Sequence, residues 1–273
     1  MKIGVLGPLV LSEGCYLAVP SAPKPRQVLA LLVLQANHIV PVSALKRELW
    51  DDEPPPSALT TLQTYILHLR KVLGQVACSS VRQVSSDLLV TAPGGYVFRP
   101  RSCDEIDIGA FERLAREGRA AMTAGRYEEA ACQLRRALQL WRGPALVDVR
   151  LGRLLEVHAA GLEESLLNVT ELRIDADLQL GQHHSVLTEL AALTTEHRFN
   201  ENLHAQYMLA LHRSGRRSQA LEVYAGIRAR MIDDLGLDPS PRLQALQCAI
   251  LEASPSLDTP ASLTGALTAA RLR

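Results

Sequence analysis

One stretch of the sequence decides the fold: residues 57–74, which read SALTTLQTYILHLRKVLG. Its leucine and isoleucine residues recur at spacings of three and four, which is typical of an α-helix with one apolar face. This apolar stripe, which we expect to pack against a core, consists of Leu59, Leu62, Ile66, Leu69 and Leu73. Ser57 is predicted to cap the start of the helix and Gly74 to end it.

The opposite face of this predicted helix is polar and basic. It carries groups that can hydrogen-bond the edges of DNA bases and groups that can pair with phosphates. The residues predicted on this face are Thr60, Gln63, Thr64, Leu67, His68 and Lys71, with Arg70 beside them. An ordinary solvated helix face carries the same residue types. The flanking elements therefore have to decide between a DNA-contacting face and a solvated one.

Those flanking elements predict a winged helix-turn-helix. Apolar runs at residues 2–11 and 16–20 surround a turn and indicate a strand hairpin. One helix then opens at residues 21–25 and a second at Ser43, which is predicted as its N-cap. Beyond the third helix, alternating apolar residues around a turn at 92–95 indicate a second hairpin. In this order of elements, the third helix is the one that fits the DNA major groove.

From residue 106 onward the sequence predicts helices separated by short breaks. Three of these breaks are alike, with Gly125, Gly181 and Gly215 each followed by polar residues and another helix. Gly181 and Gly215 are 34 residues apart, which is the tetratricopeptide period. Stacked helix pairs of this kind form a scaffold with a protein-binding groove.

The expected fold class is therefore mostly α with small β hairpins. We predict a winged-helix domain at residues 1–101, an all-α tetratricopeptide-like domain at 102–254 and a flexible tail at 255–273. The charge is distributed unevenly: residues 1–101 hold ten Lys and Arg against six Asp and Glu, a net +4, and the remainder holds 19 against 23, a net −4. A basic first part is a weak indication of an anionic partner.

Composition excludes several other classes of protein. No run of 18 apolar residues is present, so no spanning helix is expected, and the apolar start of the chain is interpreted as a strand and not as a signal peptide. The cysteines form no CxxC pair, and we expect buried free thiols in a reducing cytoplasm. They are Cys15, Cys78, Cys103, Cys132 and Cys248.

We expect no enzyme activity, cofactor or metal. The sequence has neither a P-loop nor a GxGxxG motif after a strand, and no Ser or Cys stands in a recognisable nucleophile setting. The histidine groupings are His183-His184 and the set His197, Glu201 and His204. We interpret them as polar positions of the helical repeats and not as metal ligands.

Several stretches carry a resemblance to a known family. They are residues 24–32, 45–50 and 58–74 in the first part, and 104–111, 125–143, 163–180 and 234–241 in the second. In these stretches the chain resembles the Streptomyces antibiotic regulatory proteins, in their short form without an ATPase module. The resemblance implies an OmpR-type winged helix followed by a bacterial transcriptional activation domain.

The resemblance also implies partners. Members of this family bind short direct repeats near the −35 region of promoters in antibiotic gene clusters and recruit RNA polymerase through sigma and other subunits. This sequence has Ala92-Pro93 where response regulators often have an arginine before Gly-x-Gly-Tyr, so a wing-tip arginine in the minor groove is not expected. No receiver domain is present, so control by phosphotransfer within this chain is not expected either.

On this basis we predict which residues contact DNA. The side chains expected at base edges are Thr60, Gln63, Thr64 and His68, with Gln63 and Thr64 the best candidates for readout. The side chains expected at phosphates are Lys24, Arg26, Arg70 and Lys71, with Tyr96 and Arg99 in the wing. In an alternative role, Arg70 would lock the third helix to Glu48 or Asp51.

The predicted protein is a cytoplasmic transcriptional activator. Two protomers are expected to assemble side by side on double-stranded promoter DNA, with no membrane partner. The alternative from another functional class is a helical scaffold that binds proteins or phosphopeptides, in which the winged helix also serves protein contacts. Alanine at His68, Arg70 and Lys71 would abolish promoter binding in the first case and have little effect in the second.

Overall fold

A four-stranded sheet begins the chain. The computed structural model describes residues 1–14 and 16–257. The strands lie in the order β3-β2-β1-β7 and comprise β1 (Lys2–Gly4), β2 (Val10–Glu13), β3 (Tyr16–Ala18) and β7 (Glu105–Ile106). β2 pairs antiparallel with both β1 and β3, which confirms the hairpin, and β7 pairs parallel with β1. The first apolar run divides into two strands because Gly7, at φ 128°, turns the chain.

Three helices follow, as the sequence predicts: α1 (Pro23–Leu34), α2 (Val42–Trp50) and α3 (Ala58–Val76). The prediction of Ser43 as N-cap of α2 is wrong, because the cap position is Pro41, whose fixed φ suits the residue before a helix. The predicted stop at Gly74 is also wrong. The helix continues to Val76, and the Gly74 carbonyl accepts from the Ser79 N–H at 2.9 Å. The absence of a side chain lets Ser79 approach this closely, since a Cβ at Gly74 would lie 2.7 Å from the Ser79 carbonyl oxygen.

The apolar stripe of α3 forms part of a hydrophobic core, called the first core below, that it shares with α1 and the first sheet. Leu62, Ile66, Leu69 and Leu73 are buried with side chains of α1 and the first sheet. Leu59 is 48% exposed, so its predicted burial is wrong. It has the correct helical period but lies in the first turn of α3, and burial of the stripe starts one turn later.

The second hairpin closes a three-stranded sheet. Between α3 and this sheet the chain forms a short helix, α4 (Val81–Gln83), and a π-helical turn, Val84–Leu88, where the sequence predicted an alternating apolar run. The sheet has the order β4-β6-β5 and comprises β4 (Val40–Pro41), β5 (Leu89–Ala92) and β6 (Gly95–Phe98). A Cβ at Gly95 would lie 2.2 Å from the Val40 carbonyl oxygen, so only glycine permits this strand spacing.

The helices predicted after residue 106 are confirmed, and the described residues form seven of them there. They are α5 (Asp107–Thr123), α6 (Tyr127–Leu138), α7 (Arg153–Gln179), α8 (Leu187–Glu196), α9 (Glu201–Arg213), α10 (Arg217–Leu235) and α11 (Pro241–Leu251). A 3₁₀ turn, Pro255–Leu257, follows α11.

The three like breaks between these helices have one backbone geometry. Gly125, Gly181 and Gly215 have φ values of 70°, 73° and 75°, the left-handed region that ends a helix. In each case the next residue donates its N–H to the carbonyl five residues earlier. These bonds are Arg126 to Ala121 at 2.9 Å, Gln182 to Asp177 at 2.8 Å and Arg216 to Leu211 at 2.9 Å. The sequence similarity of the breaks therefore reflects a repeated helix stop.

The chain divides into two units by its internal contacts. One comprises Met1–Leu114 with Arg136–Leu167, and the other Ala115–Arg135 with Asn168–Arg273. The predicted domain division at residues 101 and 254 stays a prediction. Of the predicted tail, Leu257 is buried and residues 258–273 lie outside the described residues.

Two further sequence expectations concern thiols and membranes. The prediction that the cysteines are buried is wrong for four of them, Cys78, Cys103, Cys132 and Cys248, which are free and exposed. Cys15 lies outside the described residues. Each of the four stands at a helix surface or in a loop and not on an apolar stripe. In the part of the chain that the structure describes, no helix is long and apolar enough to cross a bilayer.

Candidate nucleic-acid interface

The face of α3 opposite the core carries most of the predicted base-reading groups. Its exposed side chains are Thr60, Gln63, Thr64, Leu67, His68 and Lys71. Thr64 Oγ1 donates to the Thr60 carbonyl at 3.0 Å, so its hydroxyl hydrogen is used within the helix. The buried stripe fixes the rotation of α3 and thereby keeps these polar groups in solvent.

Arg70 joins α3 to the wing, which is the hairpin of β5 and β6. Its Nε and Nη2 donate to the Leu89 carbonyl at 3.0 and 2.9 Å, and Nη2 also donates to Thr91 Oγ1 at 2.8 Å. The side chain is half-buried, and burial lowers the pKa of its guanidinium from the ordinary value. The structural role predicted for Arg70 is therefore present, but the predicted partners, Glu48 and Asp51, are wrong: the partner is strand β5.

Two basic residues of α1 also have intramolecular partners. Arg26 Nη1 donates to Asp148 Oδ2 at 2.8 Å, and its Nε donates to the Pro20 carbonyl at 3.1 Å. Lys24 Nζ lies 4.8 Å from the centre of the Trp50 ring, a cation–π distance. Both side chains are half-buried. Because each has an intramolecular partner, neither is a free cation that joins the exposed face of α3.

In the wing, one of the two predicted contact residues is exposed. Arg99 is exposed directly after β6, and its backbone N–H donates to the Leu88 carbonyl at 2.7 Å. Tyr96 is 7% exposed and lies opposite Val40 in the three-stranded sheet. A phosphate contact by the Tyr96 side chain is therefore not compatible with this packing, because the ring belongs to the first core.

Sequence reasoning missed a buried carboxylate behind the helix-turn-helix. Glu48 in α2 is 3% exposed. Its Oε1 accepts from the N–H of Gly152 at 2.7 Å and from Gln27 Nε2 at 3.1 Å. Its Oε2 accepts from the N–H groups of Leu154 at 2.8 Å and Leu155 at 3.3 Å. The carboxylate thus caps α7, where backbone N–H groups and the helix dipole favour a negative charge.

Two members of the second histidine grouping, Glu201 and His204, have ordinary hydrogen-bond roles. Glu201 Oε2 accepts from the Ser240 N–H at 2.8 Å, and His204 Nδ1 bonds the Asn200 carbonyl at 2.8 Å. Among residues 1–14 and 16–257 no cluster of three His, Cys, Asp or Glu side chains is placed to hold a metal ion.

Two family descriptions match this arrangement. Residues 18–98 match the family described as transcriptional regulatory protein, C terminal, and residues 106–251 match the bacterial transcriptional activator domain. With the winged helix and its exposed third helix, these matches define the class: a bacterial transcriptional regulator with an OmpR-type winged helix.

Relatives narrow the class to a family. The chain is 50% identical over 258 residues to regulatory protein DnrI of Streptomyces peucetius, with 94% of each chain covered. It is 38% identical over 274 residues to regulatory protein AfsR of Streptomyces coelicolor, of which it covers 26%. A solved structure of Mycobacterium tuberculosis EmbR in complex with a low-affinity phosphopeptide superimposes with a TM-score of 0.87 at 35% identity, over 99% of this chain and 69% of that one.

This chain belongs to the family of Streptomyces antibiotic regulatory proteins, which are transcriptional activators. The family and its members' names indicate regulation of transcription and not catalysis. The fold class predicted from the sequence is confirmed by the superposition and by both domain matches.

Proposed function

We propose that this activator binds direct repeats near the −35 region of antibiotic-cluster promoters and recruits RNA polymerase there. The observation that carries the proposal is the exposed face of α3. Thr60, Gln63, Thr64, His68 and Lys71 share that face, and a helix of this width fits the major groove. The action of the protein in the cytoplasm is part of the same proposal.

Each group on this face has a matching partner on DNA. The Gln63 amide can donate and accept at the edge of one adenine, and the methyl group of the exposed Thr64 can contact a thymine methyl. Lys71 at the edge of the face, together with Arg99 after the wing, supplies phosphate contacts. We leave Arg26 and Tyr96 out of this interface because of their intramolecular ion pair and burial.

Arg70 has a supporting part in the proposed interface. Its hydrogen bonds to Leu89 and Thr91 hold the wing hairpin against α3. A wing fixed in this way can reach the backbone beside the groove that α3 enters. Arg70 therefore positions phosphate contacts made by other residues, notably Arg99.

Two protomers are needed for tight binding in this proposal. Residues 1–101 have a net charge of only +4, and few phosphate contacts give weak binding at physiological salt. Two copies on adjacent repeats, held also by RNA polymerase and its sigma factor, raise the effective concentration of each copy.

The test is a footprint titration on promoter fragments at several salt concentrations. We expect protection of paired repeats near −35, with a steep fall in affinity as salt increases. A fragment with one half-site should bind much more weakly than the tandem repeat. Equal affinity for one and two half-sites would contradict the side-by-side assembly, and binding no tighter than to random DNA would favour the protein-scaffold alternative.

Polymerase recruitment needs a separate measurement. A protein that binds its repeats should increase retention of RNA polymerase holoenzyme on the same fragment in a supershift experiment. Scrambled repeats of equal length provide the control. Normal repeat binding without any gain in holoenzyme retention would contradict recruitment while leaving DNA binding intact.

A further inference from the structure

The second unit contains an open pocket that the proposed DNA contacts do not use. It has a volume of about 500 Å³ and lies among α8, α9 and α10. Its polar lining includes Thr194, His204, Arg216, Glu222 and Arg230. A volume of this size is within the range of small-molecule sites.

The chemistry of the pocket is set by Arg230. Its Nη2 bonds His204 Nε2 at 3.0 Å, and His204 Nδ1 bonds the Asn200 carbonyl at 2.8 Å. An imidazole that donates from Nδ1 to a carbonyl and accepts at Nε2 from a guanidinium is neutral. In agreement, burial and the positive charge of Arg230 lower the pKa of His204. His204 therefore orients Arg230 without neutralising it.

The positive charge of Arg230 has no compensating carboxylate. Among the described residues no Asp or Glu oxygen lies within ion-pair distance of its guanidinium, and its buried Nε has no hydrogen-bond partner. A partly desolvated cation without a counter-charge is unfavourable. Arg216, exposed at the rim, adds a second positive charge, and Glu222 is the acid in the lining.

We propose that this pocket binds the oxyanion of a small acidic molecule, with the guanidinium of Arg230 as the principal contact and Arg216 at the rim. The planar fork of an arginine matches the two oxygens of a carboxylate or phosphate. Leu211 and Val223 provide apolar surface for the carbon skeleton of such a ligand. The site goes beyond DNA binding, because it gives the helical unit a ligand of its own.

Gly226 keeps this pocket open. It lies in α10 between Glu222 and Arg230, at a spacing of four residues from each, so all three occupy one helix face. A Cβ at Gly226 would meet no atom within 4 Å. Since glycine weakens a helix interior, a residue with a side chain would be better for helix stability here, and the glycine leaves space that a ligand can occupy.

Calorimetric titration of the full chain tests the proposal, with inorganic phosphate in one arm and citrate in the other at constant ionic strength. We expect saturable binding in at least one arm, and the arm that binds more tightly identifies the oxyanion. Arg230→Met should weaken binding about tenfold or more, since it removes a charged hydrogen-bonding group. Arg228→Met removes an exposed arginine of the same helix, which pairs with Asp238 beyond the end of α10, and should change binding less than about twofold.

A second pair of variants leaves Arg230 in place. Gly226→Leu should project four carbons into the pocket beside Arg230 and block binding there, whereas Gly226→Ala, with its single added carbon, should retain it. The absence of saturable binding in both arms with the wild-type chain would overturn the proposal. So would equal binding by wild type and a folded Arg230→Met variant, or by wild type and Gly226→Leu.

Discussion

Glu48 and Gly152 are joined by a hydrogen bond of 2.7 Å between a buried side-chain carboxylate and a backbone N–H, although they lie 104 positions apart in the chain. Glu48 belongs to the helix-turn-helix and Gly152 immediately precedes α7. A Cβ at Gly152 would lie 2.4 Å from the Glu48 carbonyl oxygen. The start of α7 is thus fixed directly to α2, and glycine is required for the approach.

Glu48→Ala should strongly destabilise the first unit. The variant leaves three backbone N–H groups at the start of α7 without their acceptor. It also removes one of the two bonds of the Gln27 amide, which keeps the Glu48 carbonyl at 2.8 Å. Each buried unsatisfied donor costs about 1–3 kcal/mol, so we expect a loss of at least about 3 kcal/mol in the free energy of unfolding. Urea unfolding followed by tryptophan fluorescence measures it, because Trp50 and Trp141 both lie in this unit.

Two variants define the specificity of that effect. Glu53→Ala removes an exposed carboxylate just beyond α2 and should change stability by less than about 0.5 kcal/mol. Glu48→Gln keeps one carbonyl acceptor and should give an intermediate loss. If Glu48→Ala unfolds at the same urea concentration as wild type, the carboxylate does not hold α7.

Gln63→Ala should lower the affinity for the natural repeat and relax the preference at one base pair. A lost bidentate base contact costs about 1–3 kcal/mol in discrimination, while affinity for random DNA should stay nearly unchanged. Gln75→Ala, an exposed glutamine near the end of the same helix, is the matched control. Competition binding against single-base-substituted repeats measures both quantities, and equal losses on all sequences would exclude base readout by Gln63.

Lys71→Ala should weaken binding to every DNA sequence alike. Loss of one phosphate contact should reduce the slope of log affinity against log salt by about one unit. Arg119→Ala removes an equal charge from an exposed position on α5 and should leave the slope unchanged. A Lys71 variant with the wild-type salt slope would show that this side chain does not contact a phosphate.

Arg70→Ala separates a positioning role from a phosphate contact. Loss of its hydrogen bonds to Leu89 and Thr91 should lower the free energy of unfolding by about 1.5–3 kcal/mol, the range for hydrogen bonds from charged groups. DNA affinity should fall because the wing is no longer held. If positioning is its role, Arg70→Ala combined with Arg99→Ala should bind DNA no more weakly than Arg70→Ala alone. Additive losses would mean that the two residues act independently.

The sequence predicts the local patterns of this fold well and its long-range partners poorly. The period of residues 57–74 predicted both faces of α3, since helix geometry is local. The sequence did not predict the role of Glu48, because its partners lie beyond residue 150 and no local pattern specifies such a pairing. The available signal was the spacing: Glu48 lies three residues after Leu45, so both occupy the apolar side of α2.

Among the predicted DNA contacts, too, local patterns were predicted correctly and long-range partners were not. Exposure of Thr60, Gln63, Thr64, His68 and Lys71 follows from helical period alone. Arg26 was predicted to be available for phosphate, but Asp148 binds it from 122 positions away. Tyr96 follows two glycines, and this position in the sequence predicts a wing residue. Only the pairing of β6 with β4 shows that its ring is buried.

Protonation of Asp175 should add stability to the second unit as the pH falls from 6 towards 4, against an opposing contribution from His204, whose pKa is lowered. Burial, assisted by the charge of Glu171, raises the pKa of Asp175 from 3.8 to about 6. Above pH 6 the carboxylate is charged in both the folded and the unfolded chain, and burying the charge is unfavourable. Between pH 6 and 4 the folded chain takes up the proton first, so folding is favoured by up to about 2 kcal/mol relative to neutral pH.

Asp175→Asn should remove this dependence and stabilise the unit at pH 7.5. The substitution leaves a carbonyl oxygen to accept from Gln206 Nε2, a bond of 2.8 Å in the native protein, and it removes the buried charge. Urea unfolding of both proteins at pH 7.5, 6.5, 5.5 and 4.5 gives the comparison, with the exposed Asp233→Asn as control. The stability advantage of Asp175→Asn should shrink steadily as the pH falls, because protonation makes the native aspartate neutral as well. A constant difference across the series would mean that Asp175 is not protonated in this range.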